Sequence, residues 1–555
     1  MICVFLSPNS IEPTKNSLDN PASRYIKKRP FNTSPGSEET FRLVRDWMAE
    51  CQNSHSSCPG FQPLQMPSRV LDVGTEQLPE TLKVVETSGL QVAPYIALSY
   101  CWGPIPSLTA LTQNIQRLKQ NVEYEDLPRT LQDAVRTCRE LRIRYLWVDA
   151  LCIIQDDPID SAQVISSMPQ IYSQACITIS ASRAQGSHIG FLGERTLRDL
   201  VLEPDRIFKL GYIYPNGELG SLIFYGLVIN TRPEPIEERG WTLQEKLLSA
   251  RILRYGPQAL LWVCKSSYPR SQYMDGGKVN SGHTINSIPK DLEEWYELVR
   301  EYGTRKISVP GDRLVAVAAI AEETGKILRD RYLAGIWWSS MPKGLLWRGP
   351  SGLGVRPKKK RQLCVAPTWS WASADCVSCS TYPVTRGDFQ IEVLKCDTQL
   401  KFPHLPFGAV ESGQLVIRGR LKPQKYFPNK VYKINISENI VRDSETVKDS
   451  LMPEGESGCV EISWDITKVE LDSLTEQENG IDFIQVQYLE FYTKKEWYLS
   501  QFISAGLFLL PSGDCFQRVG LAKFHWYLNS GDEAQRRSAL TKWHDEVEPQ
   551  EITIV

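Results

Sequence analysis

The sequence predicts an α/β fold: a flavodoxin-like domain built on a parallel sheet, then a mainly helical region and a β-rich C-terminal domain. Three observations carry this. Between Tyr95 and Ser182, short apolar runs alternate with segments of helical spacing, and strands joined by helical crossovers make parallel sheets covered on both faces. From Asp291 to Trp347 helical patterns dominate, and past residue 380 the signals turn to strands. A chain of 555 residues has room for two to four such domains, because single cores stop growing well below that length.

Residues 1–37 are rich in Pro, Ser and Asn without apolar periodicity and read as a flexible leader. In the next segment, 38–94, Phe41, Val44, Trp47 and Met48 recur at helical spacing and predict an amphipathic helix over Glu38 to Cys51. The central domain is expected over 95–251. Tyr95 to Tyr100 is a buried-strand pattern ended by the turn signal Cys-Trp-Gly-Pro. Pro128 opens a helix whose face is Leu131, Ala134, Val135, Cys138 and Leu141, with Asp126 near its positive end. Tyr145 to Ile154 reads as a second strand with Asp149 inside it, and Asp160 to Tyr172 as a helix that Pro169 kinks or divides. Cys176 to Ser180 is a third strand. β-like stretches follow between Arg195 and Glu238, then a helix over Trp241 to Leu248 and strand-like sequence over Arg251 to Cys264. The remainder divides into a mainly helical region, 252–379, with a helix over Asp312 to Ala321, and the β-rich domain, 380–555. Strands are expected there at Gln414 to Arg418, Asp482 to Tyr492 and Leu507 to Leu510.

Composition excludes several classes. Hydrophobic residues at 42% and charged residues at 23% are globular values, so the bulk folds. Lys plus Arg total 63 against 65 Asp plus Glu, and the longest basic run is Lys358 to Arg361; that leaves no basic face for nucleic acid. Apolar runs stop far short of the ~20 residues of a membrane span, and Met1 to Leu6 lacks the basic start of a secretory signal. The fourteen Cys then read as reduced thiols, and a cytoplasmic location is expected. No G-x-S-x-G, P-loop or G-x-G-x-x-G occurs.

Two groups of residues suit chemistry. Asp149 is costly to bury without a partner, and carboxylates at the ends of parallel strands commonly face ligands; pairing with Arg183 is the structural alternative. Cys51-x3-His55-x2-Cys58 supplies three soft ligands, one short of a closed zinc tetrahedron. Cys376 and Cys379 complete it only if the chain folds back, so no metal site is assigned.

Three blocks resemble the fungal heterokaryon-incompatibility (HET) family in its order: Tyr95-Ile-Ala-Leu-Ser-Tyr-Cys-Trp-Gly103; Leu127 to Ala134 with Tyr145 to Asp156, Met168, Tyr172 and Ala175; and Arg239-Gly-Trp-Thr-Leu-Gln-Glu245 through Arg251. The Cys51/His55/Cys58 segment and Pro367-Thr-Trp-Ser-Trp-Ala-Ser373 are also similar to pieces of many full-length members. The resemblance implies a cell-death effector of fungal non-self recognition, with protein partners of incompatibility signalling and homo-oligomerisation. The family is distantly similar to TIR domains, some of which cleave NAD with a glutamate of a W-x-x-x-E helix. By that resemblance Glu245 is the catalytic candidate, NAD is a substrate rather than a resident cofactor, and Ser99, Tyr100, Trp102, Gly103, Asp149 and Trp241 line its site. The alternatives are an ion pair of Glu245 with Arg239 or Arg251, and a catalytically silent adaptor. The chain departs from many members in carrying Ser161 and Val164 where they have Trp and Glu, which favours the adaptor.

Overall fold

Residues 69–271 contribute a mixed eight-stranded sheet in the computed structural model. The structure describes residues 2–6, 33–60, 64–75, 78, 81–87, 92–104, 108–195, 208–213, 217, 219–226, 233–257, 259–271, 287–348, 365–374, 389–426, 457–465, 473–474, 476–478, 481–496, 501–527 and 547–555. The chain divides into two compact units, Met1–Asn286 and Ser287–Val555.

In the first unit the sheet strands are β1 (Arg69–Asp72), β2 (Lys83–Glu86), β3 (Tyr95–Ser99), β4 (Tyr145–Trp147), β5 (Ile177–Ser180), β6 (Arg251–Tyr255), β7 (Leu260–Cys264) and β8 (Ser267–Ser271). They lie in the order β8-β7-β6-β5-β3-β4-β1-β2. The inner four, β6-β5-β3-β4, are parallel. The strands expected at Tyr95 and Tyr145 are thus parallel neighbours, with Ile96 opposite Leu146. The sheet as a whole is not parallel. Antiparallel β1 and β2 extend one edge, and the β6–β7–β8 meander extends the other. A hairpin needs only a short turn whereas a parallel neighbour needs a crossover, so short strands in 64–94 and after Tyr255 add to the edges antiparallel.

Helices are α1 (Glu38–Ser54), α2 (Ile115–Gln120), α3 (Arg129–Glu140), α4 (Asp149–Cys152), α5 (Pro158–Gln174) and α6 (Trp241–Leu248). Ser37 caps α1 by accepting from Thr40 N, which satisfies one of the orphan amides of a helix start. The strand period of two sorts β3 between two surroundings. Ile96, Leu98 and Tyr100 join one core with Phe41 and Val44 of α1 and Leu131, Ala134, Val135 and Cys138 of α3; each buried aliphatic side chain there contributes about 1.5–3 kcal/mol. Tyr95 and Ser99 meet the other helices, Tyr95 donating to Ile171 O of α5 (2.7 Å) and Ser99 bonding to Glu245 of α6.

Three local expectations are corrected. The second strand ends at Trp147 and Asp149 starts α4, because its carboxylate accepts from Ala150 N (2.7 Å) and ends the ladder. Pro169 does not divide α5, which runs unbroken from its Asp157 cap; burial of Val164, Met168, Ile171 and Tyr172 on one side outweighs one lost backbone bond. Ile2–Leu6 is not a structureless leader but pairs antiparallel with Leu219–Gly226, itself hairpinned to Phe208–Ile213.

The second unit opens with helices Leu292–Gly303 and Ala318–Leu328. The helix expected from Asp312 begins only at Ala318, after the 3-10 turns Pro310–Asp312 and Val315–Val317. A nine-stranded sheet follows, and its strands Val410–Gly419, Ile481–Glu496 and Gln501–Ser512 contain the three expected runs. The Trp-Ser-Trp motif is buried in this unit: Trp371 Nε1 donates to Gly335 O (2.8 Å), and Trp347 Nε1 to Trp369 O (2.8 Å). No helix among the described residues is long and apolar enough to cross a membrane. Nine described cysteines are free thiols.

Candidate functional site

The carboxyl ends of β3 and β4 deliver Ser99, Tyr100 and Trp102 to one side and Asp149 to the other, and α6 brings Glu245 against them. Ser99 Oγ donates to Glu245 Oε2. Trp102 Nε1 donates to Asp149 Oδ2 at 2.8 Å. Arg239, just before α6, donates through Nη1 to Tyr100 O, which holds its guanidinium at the strand end, where the charges of Asp149 and Glu245 both act on it. Tyr172 of α5 completes the surroundings of Glu245, with its hydroxyl donating to Leu98 O at 3.2 Å and bearing on the Glu245 carboxylate.

Electrostatics follow from two acids sharing one base. Glu245 is 6% exposed, and burial pushes its carboxyl up to about 7; Arg239 and the Ser99 hydroxyl pull it down, and the negative charge of Asp149 raises it again. Asp149 is also raised, by burial first, against the pull of Arg239 and the Trp102 donor. Burial depresses the Arg239 guanidinium, and the two carboxylates more than offset that, so its net shift is upward. The phenols of Tyr100 and Tyr172 are driven well above their ordinary value by burial and then by these acids. The site thus holds one more acid than base in a desolvated place.

Of the residues nominated from sequence, Ser99, Tyr100, Trp102, Asp149 and Glu245 come together. Gly103 is exposed beside them and has a structural reason to be glycine: its φ is +75°, and a Cβ would stand 2.8 Å from Gly186 Cα. Trp241 is half-buried at the start of α6, and none of the hydrogen bonds named above involves it. The pairings offered as alternatives divide. Arg239 does act on both acids, whereas Arg251 donates to Cys51 Sγ and Cys176 O, and Arg183 donates to Gly193 O. Sequence reasoning missed Tyr172 and the bridging position of Arg239. Both belong to the quoted blocks, and that membership was the available signal.

Residues 95–245 match the family model described as heterokaryon incompatibility protein (HET). They are a HET domain. The domain's matched span begins at the first residue of β3 and ends at Glu245, so the acid pair and Arg239 all lie inside it. No curated protein and no solved structure matches the chain.

At the place where Trp and Glu were looked for in α5, Ser161 donates to Ile154 O (3.2 Å) and Val164 is 4% exposed. Both are used by the local packing. The described residues that could gather a metal ion lie elsewhere, at the ends of α1 and β7.

Proposed function

We propose that this protein acts in heterokaryon incompatibility as a cell-death effector, and that its HET domain cleaves the nicotinamide–ribose bond of NAD at Glu245. The observation that carries the proposal is the Ser99–Glu245 bond with Asp149 and Arg239 beside it, which joins all three sequence blocks at the carboxyl edge of the parallel strands. The parallel strands follow the order 2-1-3-4 in chain sequence, as in flavodoxin-like sheets, where ligands sit at the point of reversal. That order supports a flavodoxin-like, and by extension TIR-like, reading of the domain.

The chemistry asks little of acid–base catalysis. Breaking the C1′–N1 bond sends its electron pair onto the pyridinium nitrogen, so nicotinamide leaves neutral and needs no proton. Positive charge develops on the ribosyl oxocarbenium, which an ionised Glu245 stabilises. Water then adds at C1′ and releases one proton, giving ADP-ribose. Arg239 is a positioning residue whose charge favours the ionised form of both acids, and Trp102 offers an aromatic face.

Glu245→Gln keeps shape and removes the charge. Nicotinamide release is expected to fall by about 100-fold or more, and induced expression of the wild type in a fungal host is expected to arrest growth while the variant does not. Equal turnover by both proteins would overturn the assignment. The near-complete burial of Glu245 favours a second reading, a silent adaptor in which the carboxylate only holds α6 to β3. Absence of turnover in assembled wild-type protein, with growth arrest preserved in Glu245→Gln, would select it.

A further inference from the structure

We infer that Cys51, His55, Cys58 and Cys264 form a structural zinc site that fastens the N-terminal helix to the edge of the HET-domain sheet. The three-ligand motif visible in the sequence gains its fourth member from Cys264, the last residue of β7, 209 residues from His55. The four ligand atoms all lie within 4.8 Å of one another. His55 Nδ1 stands 3.5 Å from Cys264 Sγ and 3.8 Å from Cys58 Sγ. Zinc bonds of ~2.3 Å to sulfur and ~2.0 Å to nitrogen give tetrahedron edges of about 3.5–3.8 Å. The spacing is therefore that of a tetrahedral Cys3His set after small side-chain adjustments.

Local structure explains how the set assembles. α1 ends at Ser54, so Cys51 lies in its last turn, His55 takes the cap position, and the following turn, closed by Cys58 N to His55 O (3.3 Å), returns Cys58 to the same side. The β7–β8 turn contributes Ser266, whose hydroxyl accepts from Cys58 Sγ at 3.3 Å. Cys51 and Cys58 are buried.

Charge compensation is present as well. Zinc with three thiolates and a neutral imidazole carries one net negative charge. Arg251, 1% exposed and paired with Cys264 across the β6–β7 ladder, points Nε at Cys51 Sγ (3.2 Å) and Nη2 at Pro59 O. Arg251 is held by Cys176 O and Pro59 O, and its remaining donor to Cys51 Sγ suits a metal-bound thiolate. All four positions are filled by protein, which suits a closed structural site and not a catalytic one. The site thereby bridges α1 and β7 across a long chain loop, and because the four ligands meet only in the folded chain, zinc binding adds its free energy to folding.

The test uses the full-length chain expressed in zinc-supplemented medium and purified under reducing conditions. Elemental analysis is expected to find one zinc per chain, and exchange into cobalt is expected to produce the visible bands of tetrahedral thiolate-bound cobalt. Cys264→Ser should lose the bound zinc, and Cys515→Ser, in the other unit, should keep it. If Cys264→Ser fails to fold, the cobalt spectrum of chelator-treated wild type still decides, since thiolate-to-cobalt charge transfer reports sulfur ligation directly. Substoichiometric zinc together with no thiolate–cobalt bands would overturn the inference, as would recovery of these cysteines as disulfides.

Discussion

Two buried charge clusters, one in each unit, show how the same ingredients serve different ends. In the second unit Arg518 and Asp465 have fully buried side chains and pair at 2.8 Å. The remaining guanidinium nitrogens donate to Leu345 O and Trp347 O, and the group stacks 3.5 Å over the Trp347 ring. One acid meets one base, and backbone carbonyls take up the other donors. The HET-domain cluster has two acids, Asp149 and Glu245, for Arg239; burial first of all raises the proton affinity of both, and the charge of Asp149 adds to the rise at Glu245. The one-to-one pair neutralises its own charge, and Nε, Nη1 and Nη2 of Arg518 all donate. A surplus acid is a reactive feature, because a passing cation or an oxocarbenium relieves it.

The largest effect is expected from breaking the one-to-one pair. Arg518→Ala leaves Asp465 buried without its countercharge and should cost about 3–5 kcal/mol, read as an early transition in urea unfolding of the full chain. Replacing both partners by apolar residues should restore much of that loss, and if it does not, the one-to-one description fails.

Arg239→Met comes next. Two buried acids would then lack their shared base, so both carboxyls should rise further and unfolding at pH 8 should become easier by about 2–4 kcal/mol, with a smaller loss as falling pH protonates them. Any NAD-cleaving activity should shift its rise to higher pH. An unchanged pH profile would show that Arg239 does not govern the acids.

Glu245→Gln sharpens the comparison by its sign. The wild-type carboxyl ionises near its ordinary value when unfolded but only near 7 when folded. Between those values the folded state binds more protons, so stability falls as pH rises through the window and levels off above it. The glutamine variant lacks this dependence. Its stability relative to wild type should therefore improve by up to about 3 kcal/mol from pH 4.5 to pH 8, measured by denaturant midpoints. A structural, favourably paired glutamate would give the opposite trend.

The smallest effect is expected at Trp102→Phe, which removes the donor to Asp149 while keeping an aromatic ring. A loss of about 0.5–1.5 kcal/mol is expected, together with a further rise of the Asp149 carboxyl visible by NMR titration.

Much of this architecture was legible along the chain because the signals are local. The period of apolar residues located α1, α3, β3 and β5, and Trp241 to Leu248 is a helix from end to end as read. The C-terminal runs at Gln414, Asp482 and Leu507 lie inside strands of the second unit's sheet. Asp149 was legible as an acid near a strand end, but its strand was read too long, since an apolar run does not reveal where a carboxylate turns back to its own backbone. Strands β1 and β2 were missed altogether, because each has only two apolar residues between charged ones, Arg69-Val-Leu-Asp72 and Lys83-Val-Val-Glu86.

What the sequence by itself determined is the set of elements and the set of unusual residues: the acids within apolar blocks, the glycine after Trp102, the three closely spaced metal-type ligands. Only the tertiary structure decided their partners. Arg239 and not Arg251 reached the acid pair, because Tyr100 O anchors its guanidinium at the end of β3 whereas Arg251 points into the α1 contact. Cys264 reached His55 from the far end of β7; Cys376 and Cys379 lie outside the described residues. Pairing of this kind depends on which strand edges meet, and strand order is set by long-range packing free energy that no window of neighbouring residues contains.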